Sequence, residues 1–145
     1  MAFLQVGQDV AKPQLRLYLM EITLPTGMVV MKYGKSSGVS SKRRLMEICE
    51  SIYDKSKERR TPSIKIIRDR KCDNPFELEL VFRSFFRNYS YTSKATWVGS
   101  TECYVVPMED AKVTFDLVLE GAIPDTIYKL PDTINMEDIA NDIKF

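Results

Sequence analysis

The stretch LRLYLMEITLPTGMVVMKYGK, residues 15–35, contains two apolar runs joined by a turn. Leu15 to Leu24 is rich in residues that favour β-structure and alternates loosely, which predicts a strand. Residues 25–27, Pro-Thr-Gly, have the composition of a turn, and Met28 to Tyr33 is a second apolar run. The two runs therefore predict a β-hairpin as the first part of the fold.

Helix and strand patterns alternate through the rest of the chain. Apolar residues at helical spacing follow a serine that can cap a helix, and an Asn-Pro-Phe-Glu sequence marks a second helix start. In chain order, the predicted elements after the hairpin are a helix capped by Ser40 or Ser41, a strand over Ser63–Asp69, a helix beginning after Asn74, a strand over Glu102–Val106 and a helix over Glu109–Leu119.

This order of elements predicts an α+β fold, with a small, mainly antiparallel central sheet flanked by helices. A chain of 145 residues that is 44% hydrophobic is long enough for one domain with a core. We assign residues 15–120 to this domain, residues 1–14 to an N-terminal segment and residues 121–145 to an acidic C-terminal arm.

The net charge of +1 conceals two oppositely charged regions. Residues 32–71, which we call the basic segment, contain thirteen Lys and Arg against five Asp and Glu, whereas residues 102–145 contain three against ten. A basic segment of this size suits a polyanion such as nucleic acid, and a solvated charged helix face is an equal alternative. We expect the acidic arm, with its similar sequences Ile123–Ile127 and Leu130–Ile134, to be extended, with a turn of helix from Met136.

Several types of site are excluded by the residues that the chain lacks. There is no histidine, which excludes histidine-based triads, histidine-ligated zinc and imidazole acid–base catalysis. The cysteines Cys49, Cys72 and Cys103 have no CxxC spacing, so we expect reduced thiols. The GKS sequence at residues 34–36 resembles the end of a phosphate-binding P-loop, but position 29, where that motif needs glycine, is valine.

The sequence carries no signal for a membrane or for secretion. No apolar run reaches the roughly 18 residues that can span a bilayer. The N-terminus, MAFLQVGQDVAK, lacks the basic region and long apolar stretch of a signal peptide. We therefore expect no membrane partner and a cytoplasmic location, which would be the host-cell cytoplasm if the protein is viral.

Five short motifs follow one another between residues 15 and 106. They are Arg16-Leu17-Tyr18, Lys32-Tyr33-Gly34, Arg44 to Ile48, Glu79 with Phe82 and Phe86, and Thr101 to Tyr104. Their order and spacing resemble the GIY-YIG nuclease family. The phage-type branch of that family commonly has a lysine in place of the second signature tyrosine, which Lys32 matches. Arg16 stands where the family usually has glycine, and Arg83 where it often has histidine.

The resemblance implies a divalent-metal-dependent DNA endonuclease or nickase that hydrolyses phosphodiester bonds. Glu79 would hold Mg²⁺ or Mn²⁺, Arg44 would contact the scissile phosphate, and Tyr18 would position or deprotonate the attacking water. Lys35 would add positive charge near the phosphate, and Tyr33 belongs to the second signature motif, Lys32-Tyr33-Gly34. A tyrosine with a pKa near 10 is a base at neutral pH only if cations lower that pKa, which the basic segment could do.

DNA is the predicted partner, with a homodimer left open and no small-molecule cofactor. The alternative function is a catalytically silent domain of the same fold that binds nucleic acid or protein. The two functions differ in whether the tyrosine, arginine and glutamate meet at one concave surface. Trp97, Tyr89 and Tyr91 could stack on bases or belong to the core. The predicted nucleic-acid contacts are Lys32, Lys35, Lys42, Arg43, Arg44, Arg59 and Arg60.

Overall fold

The computed structural model describes residues 14–92, 96–122 and 128–130. Two 3-10 helices, Arg87–Tyr89 and Ser100–Glu102, connect the larger elements. The order of strands and helices is the predicted one, although the last strand is shorter than the predicted Glu102–Val106. In chain order the elements are β1 (Leu15–Thr23), β2 (Val29–Ser37), α1 (Lys42–Lys55), β3 (Ser63–Lys71), α2 (Pro75–Phe85), β4 (Cys103–Tyr104) and α3 (Met108–Leu119).

The four strands form one antiparallel sheet in the order β3-β1-β2-β4. The predicted hairpin is the centre of this sheet, because β1 pairs with β2 on one side and with β3 on the other. Within the described ranges β4 pairs only with Met31 and Lys32, so the second half of β2 has β1 as its only strand neighbour. The fold is therefore α+β, with a small antiparallel sheet flanked by helices, as predicted.

Both faces of the sheet are covered, because successive side chains of a strand point to opposite faces. On one face, Leu17, Leu19 and Tyr33 pack with the aromatic residues of α2 and α3. On the other face, Tyr18 and Met20 pack with apolar residues of α1 and with Trp97; the buried α1 residues are Ile48 and Ile52. The cation-rich start of α1 and the carboxylate-bearing α2 therefore lie on opposite sides of the hairpin.

Part of the C-terminal arm packs on the domain. The backbone N–H of Tyr128 donates to the Phe85 carbonyl at 3.0 Å, and that of Leu130 donates to the Tyr89 hydroxyl at 2.8 Å. The Tyr128 ring also contacts Phe86 edge to face. Ile123–Ile127, all of Leu130–Ile134 except its first residue, and the helical turn expected from Met136 lie outside the described residues. Among the described helices, none is both long and apolar enough to cross a membrane.

Candidate functional site

An open cavity of about 430 Å³ lies between β1, the end of β2 and the start of α1. Lys35 lines it from the second half of β2, which has β1 as its only described strand neighbour, and two arginines line it from the first turn of α1. The helix has no acidic residue in that turn, and the acidic residue of the lining, Glu47, lies one turn later at 3.7 Å from Arg44. We call this space the cationic cavity; its lining residues are Leu15, Lys35, Ser36, Ser37, Arg43, Arg44 and Glu47.

The start of α1 is fixed by Asp69, a residue of β3. One oxygen of Asp69 accepts from the Ser41 backbone N–H at 2.8 Å. The other accepts from the Ser41 hydroxyl at 3.0 Å and from Arg16 Nε at 2.7 Å. Ser41 is the N-cap residue, as predicted, but its side chain bonds Asp69 and makes no capping bond to the helix. Arg16 is thus held against β3, and it does not line the cationic cavity.

The charge of Asp69 is stabilised by this network. Burial raises the pKa of the Asp69 carboxyl, but the hydrogen bonds from Arg16 and Ser41 and the charge of Arg16 outweigh burial and lower it below the ordinary value. Asp69 is therefore ionised in the folded protein at neutral pH. It joins the sheet to the turn that presents Arg43 and Arg44.

Tyr18 lies in the centre of the sheet with its ring across Gly34, its partner in the hairpin register. A Cβ at position 34 would overlap the tyrosine hydroxyl, so only glycine leaves room for this ring. The hydroxyl interacts with Arg44 by a hydrogen bond, and the ammonium of Lys32 lies 5.9 Å from the ring centroid. Tyr18 and Arg44 are thus neighbours.

The pKa of Tyr18 is raised, in contrast to the lowering that the basic segment suggested. Burial is the largest cause, and it outweighs the charge of Lys32 and the hydrogen bond from Arg44, both of which lower the pKa. Cations bring the pKa of a buried phenol below its ordinary value only when their stabilisation of the phenolate exceeds the cost of its lost hydration. Tyr18 is therefore a neutral phenol at neutral pH.

Glu79 is buried on α2, with 5% of its surface exposed. Its carboxylate lies 3.6 Å from Lys35 Nζ, which connects it to the cationic cavity. The pKa of Glu79 is raised above its ordinary value. Burial is the largest cause and the negative charge of Glu102 adds to it, and together they outweigh Lys35 and the other cations, which lower the pKa. Helix spacing would allow Glu79 to pair with Arg83. Glu79 pairs with Lys35 instead, and Arg83 lies 3.8 Å from Glu102.

The carboxylates near the cavity suit a hydrated divalent ion better than a metal enclosed by protein. Among the described residues no group of three or more Asp, Glu, Cys or His could hold a metal. Mg²⁺ commonly binds one or two carboxylates and keeps several waters. Glu79 fits such a site, because its only described ion pair is the 3.6 Å contact with Lys35, whereas Glu102 accepts a bond from Lys32 at 2.8 Å.

Two predicted residues lie away from the cavity. Lys32 is fully buried, and its ammonium donates to Glu102 and to the Gly99 carbonyl, so it cannot contact a phosphate in this structure. Tyr33 points to the opposite face from Tyr18. Its hydroxyl donates to the Ala111 carbonyl at 2.8 Å, and its ring lies within the core of α2 and α3. Neither placement fits the predicted role at the site.

The other predicted nucleic-acid contacts are divided along α1. Lys42 is exposed at the first residue of the helix, beside the cavity. Arg59 and Arg60 are exposed beyond the far end of the helix. A helix of 14 residues is about 20 Å long, so the two ends do not share one phosphate.

One aromatic residue near the site was missed by the sequence reasoning. Phe76, in the first turn of α2, is 58% exposed, and its ring centroid lies 5.2 Å from Lys35 Nζ. The sequence carried a signal for this exposure, because Phe76 lies outside the core-facing stripe that helical spacing predicts for that helix, namely Leu78, Val81, Phe82, Phe85 and Phe86. The residues considered for stacking are less accessible, since Trp97 and Tyr91 are buried and Tyr89 packs against Tyr128.

The site thus consists of a cationic cavity with a buried carboxylate on one side and a phenol on the other. Lys35 joins the cavity to Glu79, and Arg44 joins it to Tyr18. Comparison of the chain with protein-family models, with curated proteins and with solved structures gives no match. Any statement of function therefore depends on this geometry and on the resemblance in the five motifs.

Proposed function

We propose that the protein is a divalent-metal-dependent endonuclease or nickase that hydrolyses phosphodiester bonds in DNA, as the GIY-YIG resemblance implies. The observation that carries the proposal is that Lys35 and Arg44, two cations that line one cavity, interact with Glu79 and Tyr18 respectively, although neither Glu79 nor Tyr18 lines the cavity itself. These four residues come from β1, β2, α1 and α2, so each is held by an element of regular structure. Such rigid support suits a site that must orient a phosphate.

Arg44 is suited to bind the scissile phosphate. Its Nε is buried without a hydrogen-bond partner among the described residues, and its nearest carboxylate, Glu47, is 3.7 Å away. A buried donor without a partner costs free energy, which a phosphate oxygen would recover. Arginine in the first turn also opposes the helix dipole, so an anion bound there would relieve that repulsion.

Glu79 and Lys35 would exchange partners when substrate binds. The ammonium of Lys35 pairs with Glu79 in the free protein and lines the cavity, so it can turn towards a phosphate. The Glu79 carboxylate is then left for Mg²⁺ or Mn²⁺. A bound ion would stabilise charge on the phosphoryl and leaving oxygens.

Tyr18 acts here as a hydrogen-bonding group and not as a base. Because its pKa is raised by burial, its proton stays on the phenol at neutral pH. The ring is 1% exposed and does not line the cavity, so the hydroxyl would act through Arg44, from which it can accept a hydrogen bond. Its contribution is then to orient the Arg44 guanidinium, which depends on the space that Gly34 leaves.

The alternative is a catalytically silent domain that binds nucleic acid through the same cavity. It is favoured by one specific observation: Glu79 is already paired with Lys35, so its charge is partly compensated in the absence of metal. Cleavage separates the two functions, whereas binding does not.

The proposal is tested by incubating supercoiled plasmid with the protein and Mg²⁺ or Mn²⁺. We expect conversion to nicked or linear DNA that EDTA abolishes. Arg44→Gln should lower the cleavage rate by about 100-fold or more, as expected for loss of one charged group at a transition state. Binding without cleavage in either metal would support the silent domain and contradict the enzyme.

A further inference from the structure

Phe76 is an exposed aromatic residue near the start of α2. It follows Pro75, a buried residue at the first position of α2. One turn later, Leu80 is also exposed, and residues four apart lie on the same side of a helix. The two side chains therefore form a small apolar strip on the outer surface of α2, and burial of that strip by a ligand would be favourable.

The apolar strip adjoins the phosphate-binding residues of the cationic cavity. Lys35 Nζ lies 5.2 Å from the Phe76 ring and 3.6 Å from Glu79, and the same side chain lines the cavity. A flat apolar ring beside a cation matches the two parts of a nucleotide, because the base presents a π-face and the phosphate carries the charge.

We propose that Phe76 forms, with Lys35, a subsite on which an unpaired nucleobase next to the bound phosphate stacks. In a duplex, both faces of an internal base are already covered by its neighbours. A protein ring can therefore stack fully only on a base that is single-stranded, terminal or displaced. The structure thus points to single-stranded or locally unpaired DNA as the better ligand. This inference rests on the nucleic-acid binding proposed above.

The subsite is tested by binding, with cleavage prevented by EDTA. Fluorescence anisotropy would give the affinity of the parent protein for a labelled oligothymidylate and for a duplex hairpin with blunt, capped ends. Phe76→Ala should weaken oligothymidylate binding by roughly 5- to 150-fold, the range for loss of one stacked base. Duplex affinity should change by less than about 2-fold, because phosphate contacts are retained. Phe76→Tyr keeps the ring and should bind as the parent does.

Val113→Ala is a matched control, since this apolar side chain is 55% exposed on α3. It should leave both affinities unchanged. Equal losses for the two ligands, an effect of Val113→Ala as large as that of Phe76→Ala, or a parent protein that binds only duplex would each overturn the subsite. The proposed nuclease fails separately, in the plasmid assay, because a protein that never cuts DNA can still lose oligothymidylate affinity through Phe76→Ala.

Discussion

Replacement of Asp69 by asparagine tests whether the sheet holds the start of α1. Asp69 accepts three hydrogen bonds, from Arg16 Nε and from the N–H and hydroxyl of Ser41, at 2.7, 2.8 and 3.0 Å. Asparagine keeps one acceptor oxygen and places an NH₂ group against at least one of these donors. The side chains of Asp69 and Arg16 are only 15% and 11% exposed, so water cannot fully replace the lost bonds.

The expected loss of stability follows from these contacts. A hydrogen bond to a charged group contributes about 1.5–3 kcal/mol, and a buried guanidinium left without its carboxylate adds to the cost. We expect Asp69→Asn to lower the free energy of unfolding by about 2–4 kcal/mol near neutral pH. With a urea dependence of about 2 kcal/mol per molar, the unfolding midpoint would fall by about 1–2 M in circular dichroism.

The effect of Asp69→Asn should also depend on pH. The pKa of Asp69 is lower in the folded protein than in the unfolded chain, where it is about 3.9. Its contribution is therefore present above that value and is lost as the pH falls through the folded pKa. The difference between parent and variant should shrink in strong acid. Asp73→Asn, at an exposed position two residues after β3, is the control. A loss below about 0.5 kcal/mol, or one that is the same in acid, would refute the reasoning.

Two further substitutions examine the site from its other sides. Gly34→Ala places a Cβ on the Tyr18 hydroxyl. We expect this overlap to lower the free energy of unfolding by about 1–3 kcal/mol and to slow plasmid nicking. A variant as stable as the parent would contradict the placement of the ring. Arg43→Ala removes a cation of the cavity and should reduce the slope of log affinity for DNA against log salt by about one. Arg59→Ala, at the far end of α1, should leave that slope nearly unchanged, and equal effects of the two would argue against the cavity as the phosphate site.

The hairpin and the helices follow from local patterns, and the faces of the sheet follow from the hairpin register. Tyr18 pairs with Gly34, and Leu19 pairs with Tyr33, so the two tyrosines must point to opposite faces. Once the register is known, the placement of Tyr33 in the core could have been inferred from the sequence. The burial of Lys32 was less accessible, because its partner Glu102 is seventy residues away along the chain.

The contacts that support the site could not be predicted from the sequence either, because their partners lie far apart along the chain. Asp69 is 53 residues from Arg16 and 28 from Ser41, and no local pattern links them. The pKa of Tyr18 depends on burial, which opposes the effect of the nearby cations, and the sequence shows the cations but not the burial. The sequence likewise does not show that the cations of the basic segment separate into a group that lines the cavity at one end of α1 and exposed arginines beyond the other end.

Plasmid nicking by Glu79→Gln would show whether Glu79 supports metal-dependent cleavage. Glutamine keeps the shape of the buried side chain but removes the charge that holds a divalent ion. Glu77→Gln, an exposed carboxylate of the same helix, is the matched control, purified identically to exclude a contaminating nuclease. We predict that the parent and Glu77→Gln nick plasmid in Mg²⁺, whereas Glu79→Gln binds DNA in EDTA and does not cut. Nicking by Glu79→Gln at the parental rate would contradict this prediction.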